Sequence, residues 1–446
     1  MNMQSRRTRE SGRDASSSAP SPTTQQDSSS SDPQTEARSY WLGLPPFKWS
    51  LTLLGLCIFT FAIVTYYFPV GIVGAVVAAA GLFLDRDKVR VPFPIWIYGA
   101  FTFWALVASF VSPYSEIALE NFLEHLKLLA IMLFTVNALR TEGQLRFYLL
   151  FFLGCFVLFP VRGTLVGGDA DDSGRVVWNY IYSNSNDLAT LCLIALGIAL
   201  GLVFAKPSRT VVRLGAGISS ILLVVVMLLT QSRQALVGLL AGIGPGLIVL
   251  ALKRPVRLLF SAGILALIIS LTVPASVWER FAGMEKLTSE STIAQADPEG
   301  SAEERFEILK IAWQVFVDNP VFGVGLGVYP RENARYDPVM GRRDTHNTYL
   351  NLAAELGLPG LALWCVLVWS VLRYAYRRRR LAAPGELATQ QAWLERAFWG
   401  YLVAAIFGTF VSLSFPYVIL AVLWCSATLL AAPAQTPEST DQTTNA

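Results

Sequence analysis

Charged residues are scarce in this sequence. Only 15% of its 446 residues are Asp, Glu, Lys or Arg, against ~25% in typical soluble domains, whereas 53% are apolar. The apolar residues lie in long runs, such as 214–232, which contains no charged residue. Runs of roughly 18–20 apolar residues can cross the ~30 Å hydrocarbon core of a bilayer. The composition therefore excludes a soluble enzyme, a disordered scaffold and a disulfide-stabilised secreted module, and it predicts a polytopic membrane protein.

Histidine, cysteine and the common nucleotide and hydrolase motifs are also missing or rare. His125 and His346 are the two histidines, too few for a histidine-rich metal site, and the five cysteines fall in apolar segments without a CxxC pair. No P-loop, HExxH or GxSxG motif occurs. The net charge of +3 is too small to indicate nucleic-acid binding. We expect no metal, no cofactor and no nucleic-acid partner.

The apolar runs predict an all-α membrane protein with about twelve transmembrane helices and one large outer loop. Polar residues 1–45 and 432–446 are predicted cytoplasmic tails, the first of them disordered. Helices 1–9 are expected within 46–274, the loop at 275–346, and helices 10–12 within 347–431. The predicted spans lie near 49–67, 69–84, 93–111, 120–138, 146–161, 187–204, 213–230, 234–251, 257–274, 347–372, 395–413 and 415–431.

Basic residues mark alternate turns between these spans. The short turn 112–119 contains no Lys or Arg, whereas the turns that follow even-numbered spans are basic. The positive-inside rule then predicts that both termini are cytoplasmic. The basic turns contain Arg86, Lys88 and Arg90; Arg140 and Arg146; Lys206, Arg209 and Arg213; Lys253, Arg254 and Arg257; and Arg373 with Arg377–Arg380.

The long outer loop has a helical pattern in its second half. Ser301 and Glu304 have the spacing of a capping box, and Phe306, Leu309, Trp313 and Phe316 recur at helical intervals. This pattern predicts an amphipathic helix over 302–318 that lies against the membrane or covers a cavity.

Three arginines do not follow the cytoplasmic pattern. Arg233 stands between two apolar runs, where it either snorkels from a helix end or faces a cavity that holds an anion. Arg162 and Arg175 flank the loop GGDADDSG, and Arg175 precedes the cluster Asn184–Asp187. Such a cluster is typical of a helix N-cap, and an arginine beside a helix N-terminus also forms an anion site. The two interpretations are compatible.

Three aspartates of that loop, Asp169, Asp171 and Asp172, lie close together in sequence. Clustered carboxylates can bind Ca²⁺, Mg²⁺ or Mn²⁺, but a solvated acidic turn has the same composition. The predicted orientation also places them on the outer side, away from cytoplasmic nucleotide sugars. We interpret them as a solvated turn.

The most specific pattern is His346–Gly360, HNTYLNLAAELGLPG. A histidine where a long outer loop enters the membrane can act as a general base, because an unperturbed imidazole titrates near neutral pH. An ordinary loop histidine is the alternative. The Gly and Pro that follow Glu355 predict a broken or re-entrant helix end lining a cavity.

With the preceding DNPVFGVGLGVY, this segment resembles the O-antigen ligase and polymerase superfamily, which are bacterial inner-membrane glycosyltransferases with a large periplasmic loop. Three further features are similar: Ser232–Arg233 at the start of a span, Arg175 followed by SNSND, and Glu279–Phe281 early in the loop. The resemblance covers about 160–365. SNSND departs from the commoner NPND form of the family.

The resemblance implies a multi-pass protein of the bacterial inner membrane with a periplasmic active site. The donor would be a glycan on undecaprenyl diphosphate, and the acceptor a sugar hydroxyl of lipid A–core or of another glycan. Arginines would bind the diphosphate, which removes the need for ATP or a metal ion, and His346 would take the acceptor proton or orient the hydroxyl in an inverting transfer. The implied diphosphate ligands are Arg175 and Arg233, with Arg162, Arg280 and Arg305 as further candidates; the supporting residues are Asn347, Tyr349, Glu355, Asn186 and Asp187.

Four functions share these features. The first is a ligase that transfers finished polysaccharide to lipid A–core, and the second a polymerase of O-antigen, capsule or exopolysaccharide. A protein O-oligosaccharyltransferase would use the same machinery. A non-catalytic polysaccharide transporter is the fourth, but it predicts internal repeats with matching broken helices, and the sequence shows no repeat.

Overall fold

A computed structural model describes residues 44–45, 47–66, 70–170, 175–206, 209–273, 278 and 301–431. The predicted tails lie outside these ranges, except for residues 44–45. Within the predicted loop 275–346, residues 275–277 and 279–300 also lie outside, and Arg280 is among them. The same holds for Asp171 and Asp172.

Helices dominate the described part of the chain. A single short antiparallel hairpin there, β1 (Asp169–Ala170) with β2 (Val176–Val177), pairs Asp169 with Val177. The helices up to the predicted loop are α1 (Leu51–Thr65), α2 (Gly71–Leu84), α3 (Phe93–Val111), α4 (Ser115–Ala138), α5 (Glu142–Phe156), α6 (Arg162–Gly167), α7 (Ser185–Phe204), α8 (Thr210–Leu229), α9 (Arg233–Gly242), α10 (Gly244–Lys253) and α11 (Pro255–Thr272). They are followed by α12 (Ser301–Asp318), α13 (Tyr329–Tyr336), α14 (Thr348–Leu381), α15 (Glu386–Ala404) and α16 (Ser414–Leu430).

Several of these helices are long and apolar enough to cross a membrane. Among the described residues there are five: α3, the continuous stretch Glu142–Gly167, α7, α8 and α14. The pair α9 and α10, bent by 44°, would make a sixth if it forms one broken span. Four shorter apolar helices are α1, α2, Ala262–Leu271 within α11, and α16. The structure is that of an all-α membrane protein, and the count of twelve crossing helices stays a prediction.

Small residues allow the helices α7, α9 and α15 to pack closely. A Cβ on Gly238 would lie 2.5 Å from the carbonyl oxygen of Gly400, and one on Gly197 would lie 2.3 Å from the Cβ of Ala397. Helices in a membrane approach each other through such small residues because packing, not water exclusion, drives their association. These three helices therefore form a tight group, and both α7 and α9 begin at the sequence-predicted site.

The helix α14 is broken after its third turn, as the Gly and Pro after Glu355 predict. Gly357 has φ 66° and ψ −172°, and Pro359 has no N–H to donate. The carbonyl of Glu355 would have received that N–H in a regular helix. It accepts instead from the N–H of Gly325, at 2.9 Å.

The neighbouring backbone groups at the break find partners in the same way. The carbonyl of Ala354 accepts from the N–H of Val324 at 3.0 Å, and that of Leu356 accepts from the indole of Trp104 at 2.9 Å. The N–H of Leu358 donates to Pro320 at 2.9 Å. Backbone groups that are buried at membrane depth need such partners, so the break holds the segment 320–325 against α14.

The helix predicted over 302–318 is present as α12. Two residues of its predicted apolar face, Phe306 and Trp313, are exposed, and a neighbouring face is buried instead. Its Ile308, Ala312 and Val315 are buried together with Val328 and Tyr329, which flank the start of α13. The Tyr336 hydroxyl at the end of α13 also donates to the carboxylate of Asp318. The second half of the predicted loop, from Ser301 onward, is therefore an ordered layer of two helices.

We predict that Gly323→Ala destabilises the protein more than Gly341→Ala does. Both glycines have positive φ, 66° and 74°, so both substitutions cost ~1 kcal/mol in backbone strain. Only at Gly323 would the new Cβ lie 2.2 Å from the backbone carbon of Glu355, whereas it meets nothing within 4 Å at Gly341. Crowding of this kind adds about 1–3 kcal/mol.

The measurement is the temperature at which detergent-solubilised protein loses its monodisperse elution peak. Gly341→Ala is the matched control for backbone strain. Equal midpoints for the two variants would contradict the proposed docking of the 320–325 segment.

Candidate functional site

The turn that begins α7 contacts the turn that begins α9. Asn184 caps α7 through its side chain, which accepts from the N–H of Asn186 at 2.9 Å. The amide oxygen of Asn186 in turn accepts from the Ser232 hydroxyl at 2.8 Å. The predicted capping role of the asparagine cluster is therefore present, and the same cluster joins two helix N-termini that are 46 residues apart in sequence.

Arg233 is the first residue of α9, directly after this contact. Gln231 takes a left-handed conformation with φ 52°, and the Ser232 side chain accepts from the N–H of Ala235 at 3.5 Å as the N-cap. A helix N-terminus carries partial positive charge and N–H donors, and Arg233 adds a full charge there. This arrangement is suited to an anionic group.

His346 lies in a tight turn immediately before α14. Its φ of 49° is in the left-handed region, which is uncommon for a residue other than Gly or Asn, and its side chain is half-buried. Burial and the guanidinium of Arg305 lower the pKa of His346 below its ordinary value, while Asp344 and Glu304 partly oppose the shift. Since the ordinary value is about 6.5, the imidazole is neutral at pH 7 and can accept a proton.

Asp344 connects His346 to the other elements of the site. It lies within electrostatic range of His346, of Asp187 in the first turn of α7, and of the buried Glu355. The Asn186–Asp187 turn therefore contacts Ser232, and its Asp187 is within electrostatic range of Asp344. This links the start of α9, with Arg233, to His346 through residues that touch or interact with one another.

A network of short polar side chains holds the turn at His346 in place. The hydroxyl of Thr345 lies 3.1 Å from the amide oxygen of Asn351 and 3.0 Å from the hydroxyl of Thr409. Asn347 caps α14, accepting from the N–H groups of Tyr349 and Leu350 at 3.0 and 2.9 Å. The turn is therefore fixed from both sides.

The supporting residues Tyr349 and Glu355 have structural partners. The Tyr349 hydroxyl donates to the carbonyl of Leu402 at 2.8 Å and joins α14 to α15. The buried carboxylate of Glu355 accepts from the N–H of Tyr329 at 3.1 Å. It therefore fixes the start of α13 relative to α14 and does not point toward solvent.

The remaining predicted arginines differ in their placement. Arg305 on α12 is half-buried and acts on His346. Arg175 is half-buried just before β2, while Arg162 is exposed at the start of α6 and forms no hydrogen bond or ion pair with the described site residues. The structure thus brings Arg305 to His346, and it links Arg233 to the same region through Asn186.

Three residues of this region were not among those predicted from sequence: Asp344, Thr345 and Asn351. Asp344 and Thr345 immediately precede His346, and Asn351 follows Asn347 by one helical turn. The spacing of Asn347 and Asn351 was available as a signal, because residues at i and i+4 share a helix face. Within the described ranges, no three His, Cys, Asp or Glu side chains lie together in a group that could hold a metal ion.

Comparison with known proteins confirms the resemblance stated from the sequence. Residues 218–365 match the family described as O-antigen ligase, a segment that contains Arg233, Arg305 and His346. The chain is also 28% identical over 271 residues to the teichuronic acid biosynthesis protein TuaE of Bacillus subtilis (strain 168). That match covers 58% of this chain and 53% of the relative, so the chain spans about half the length of TuaE. The family match and the apolar helices together identify an integral membrane protein.

We predict that cysteines at Asn186 and Ser232 can be joined by a short bifunctional thiol reagent. Their side-chain oxygens are 2.8 Å apart, whereas Ser219 lies thirteen residues before Ser232 along α8, or about 15–20 Å away. The chain for this test carries Cys365→Ser, which removes the exposed native cysteine, and a protease site between Lys206 and Arg209.

After cleavage, the two halves of Asn186→Cys/Ser232→Cys should migrate together on a denaturing gel. The halves of the control, Asn186→Cys/Ser219→Cys, should separate. Equal cross-linking of both pairs would contradict the contact between the two helix starts.

Proposed function

We propose that this member of the O-antigen ligase and polymerase superfamily moves a glycan from undecaprenyl diphosphate to a sugar hydroxyl of lipid A–core. The observation that carries the proposal is the arrangement at the start of α14. Burial and Arg305 lower the pKa of His346 there, and Asp344 is within electrostatic range of the Asn186–Asp187 turn, which contacts Ser232 at the N-terminus of α9. Base and cations are thus on one side of the molecule.

The chemistry requires one bond to form and one to break. The acceptor hydroxyl oxygen attacks the anomeric carbon of the donor sugar, and its proton passes to the free imidazole nitrogen of His346. The bond between the anomeric carbon and the phosphate oxygen breaks, and the diphosphate leaves with the electron pair. Attack from the face opposite the leaving group inverts the anomeric configuration.

Arginines supply the charge that the leaving diphosphate needs. Arg233 at the N-terminus of α9 and Arg305 near His346 are the ligands that the geometry favours. Guanidinium groups bind phosphate through paired charge-assisted hydrogen bonds, so they can take the place of a metal ion. Arg175 joins them in the proposal as a further ligand, and the exposed Arg162 is the weaker candidate.

We further propose the orientation that the basic turns predict, with the site on the periplasmic face of the inner membrane. Each predicted span overlaps a helix of the described ranges, and five or six of these helical stretches are long and apolar enough to cross a membrane. His346 lies two residues before the start of α14, and the far end of this helix carries Arg377–Arg380. This polarity supports an outer site and a cytoplasmic basic end.

A polymerase that extends a polysaccharide on its lipid carrier is the second candidate. The observation in its favour is the relative, whose name assigns it to teichuronic acid biosynthesis. Donor, base and arginines would act in the same way, and only the acceptor would differ. The residues at the site therefore do not separate a ligase from a polymerase.

Deletion of the gene separates the two functions. For a ligase, we expect lipopolysaccharide gels to show only uncapped core, while long glycan accumulates on undecaprenyl diphosphate. For a polymerase, the core would instead carry a single repeat unit. Unchanged lipopolysaccharide with loss of a capsule or exopolysaccharide would reject the lipid A–core acceptor.

We predict that His346→Asn lowers the transfer rate by about 10²–10⁴, the usual contribution of a general base. Asn is one of the few residues that tolerates the φ of 49° at this position, so the turn is preserved while the base is lost. Arg233→Gln should also abolish transfer by removing a diphosphate ligand. Complementation of the deletion strain, with protein measured in the membrane fraction, gives the readout.

Arg213→Gln is the matched control for Arg233→Gln. Arg213 lies in the first turn of α8, at the other end of that helix from Arg233. It should complement fully. Full activity of His346→Asn would reject the proposed base, and equal loss in the two arginine variants would reject the specific role of Arg233.

A further inference from the structure

A second group of arginines lies at the opposite end of the helix bundle from His346. Arg90 immediately precedes the turn into α3, and Arg140 follows the end of α4. Tyr374 lies beside them, 26 residues beyond Thr348 along α14, which corresponds to roughly 35–40 Å of helix. The group is therefore far from the proposed active site, and a ligand bound there would be independent of the proposed function.

These residues surround a cavity of about 200 Å³. Arg90 and Arg140 form its polar side. Its apolar side includes Val136, Leu139, Trp424 and Leu429. Such a division, with charge at one side and hydrocarbon at the other, matches a lipid whose headgroup and first acyl carbons enter together.

Asn137, which is 3% exposed, bonds to the backbone of Arg90 and to the side chain of Arg140. Its amide oxygen accepts from the backbone N–H of Arg90 and from Nη2 of Arg140, both at 2.8 Å. Its amide nitrogen donates to the Arg90 carbonyl at 2.9 Å, and Nε of Arg140 donates to the Asn137 carbonyl at 2.8 Å. The guanidinium of Arg140 is thus fixed next to the backbone of Arg90 before any ligand arrives.

The positive charge of this pair is poorly compensated. Burial and repulsion from Arg90 lower the pKa of Arg140, and Asp85 opposes that shift. In the described part of the chain, neither arginine forms a salt bridge with a carboxylate. Arg378 adds a third cation nearby, with its guanidinium 5.1 Å from the centre of the Tyr374 ring. An anion between the arginines would remove this repulsion.

An aromatic pair indicates that the cavity lies at the level of the lipid headgroups. The rings of Tyr374 and Trp424 are stacked with their centres 4.2 Å apart. Tyr and Trp are enriched at the level of lipid headgroups, and basic pockets between helix ends bind anionic headgroups. A free phosphate ion would use the arginines but would leave the apolar side without a partner.

We propose that the Arg90–Arg140 cavity binds the phosphate group of an anionic phospholipid, with the start of an acyl chain against Leu139 and Leu429. The lipid phosphate would lie between the two guanidinium groups. Its chain would leave the cavity along the surfaces of α4 and α16.

The test uses the purified full-length protein in a neutral detergent. Its thermal midpoint is measured against increasing phosphatidylglycerol, with phosphatidylcholine and inorganic phosphate in parallel. We expect phosphatidylglycerol alone to raise the midpoint in a saturable way. Arg90→Gln/Arg140→Gln should weaken the apparent affinity by roughly 10–30-fold, as expected for the loss of two cations at a headgroup.

Two variants separate a built site from a generally basic surface. Arg373→Gln/Arg377→Gln removes the same charge from exposed positions on the same end of α14 and should change the affinity by about twofold at most. Leu429→Trp fills the apolar side and should weaken binding while both arginines remain. If the double variant fails to fold, Arg90→Gln alone, at an exposed position, and Leu429→Trp still distinguish a built lipid site from a generally basic surface.

Several results would overturn the proposal. If both arginine double variants lose the same affinity for phosphatidylglycerol, or if Leu429→Trp binds it unchanged, the lipid binds only to a generally basic surface. If phosphatidylcholine raises the thermal midpoint equally, the arginine charges do not contribute to binding. Stabilisation by inorganic phosphate that competes with the lipid would assign the arginines to a free anion.

Discussion

The functional half of this protein depends on how the backbone hydrogen bonds at the break in α14 are satisfied. Gly357 leaves the helical conformation and Pro359 lacks an N–H, so the carbonyls before them lose their helical partners. In a membrane the missing partners cannot come from water, and each unsatisfied group would cost several kcal/mol. The segment 320–325 and the indole of Trp104 supply them. The break in α14 therefore determines where the segment 320–325 must dock against the helix bundle.

That constraint extends to the site. The docked segment leads directly into α13, whose first N–H is held by the carboxylate of Glu355, and α13 packs under α12. Arg305 of α12 thereby comes within electrostatic range of His346. His346 lies just before α14, the same helix whose break at Gly357 holds the docked segment. The proposed base and one proposed diphosphate ligand are consequently positioned by a single structural unit, whereas Arg233 is positioned separately through the Asn186–Ser232 contact.

The sequence predicted features that depend on local pattern, and it missed those that depend on distant partners. Hydropathy indicated each apolar helix, the Ser301 and Glu304 spacing indicated α12, and Gly357 with Pro359 indicated the break. The docking of Gly325 on Glu355 joins residues 30 positions apart, and Asn186 meets Ser232 across 46. No periodicity encodes such pairs. For the same reason the sequence grouped Arg162 with Arg233 by their outer placement alone, although the described contacts link Arg233 and not Arg162 to the region of His346.

Arginines in this protein have different surroundings, and this bears on the proposed chemistry. At the far end of the bundle, Arg146 pairs with Glu386 at 2.7 Å and Arg379 with Glu395 at 2.8 Å, so the protein compensates these two charges itself. Near His346, burial and the guanidinium of Arg305 both lower the pKa of the imidazole. A donor diphosphate bound to Arg305 would cancel part of that positive field. The pKa of His346 would then rise as the donor arrives, and the imidazole would become a stronger base only when a substrate is present to be attacked.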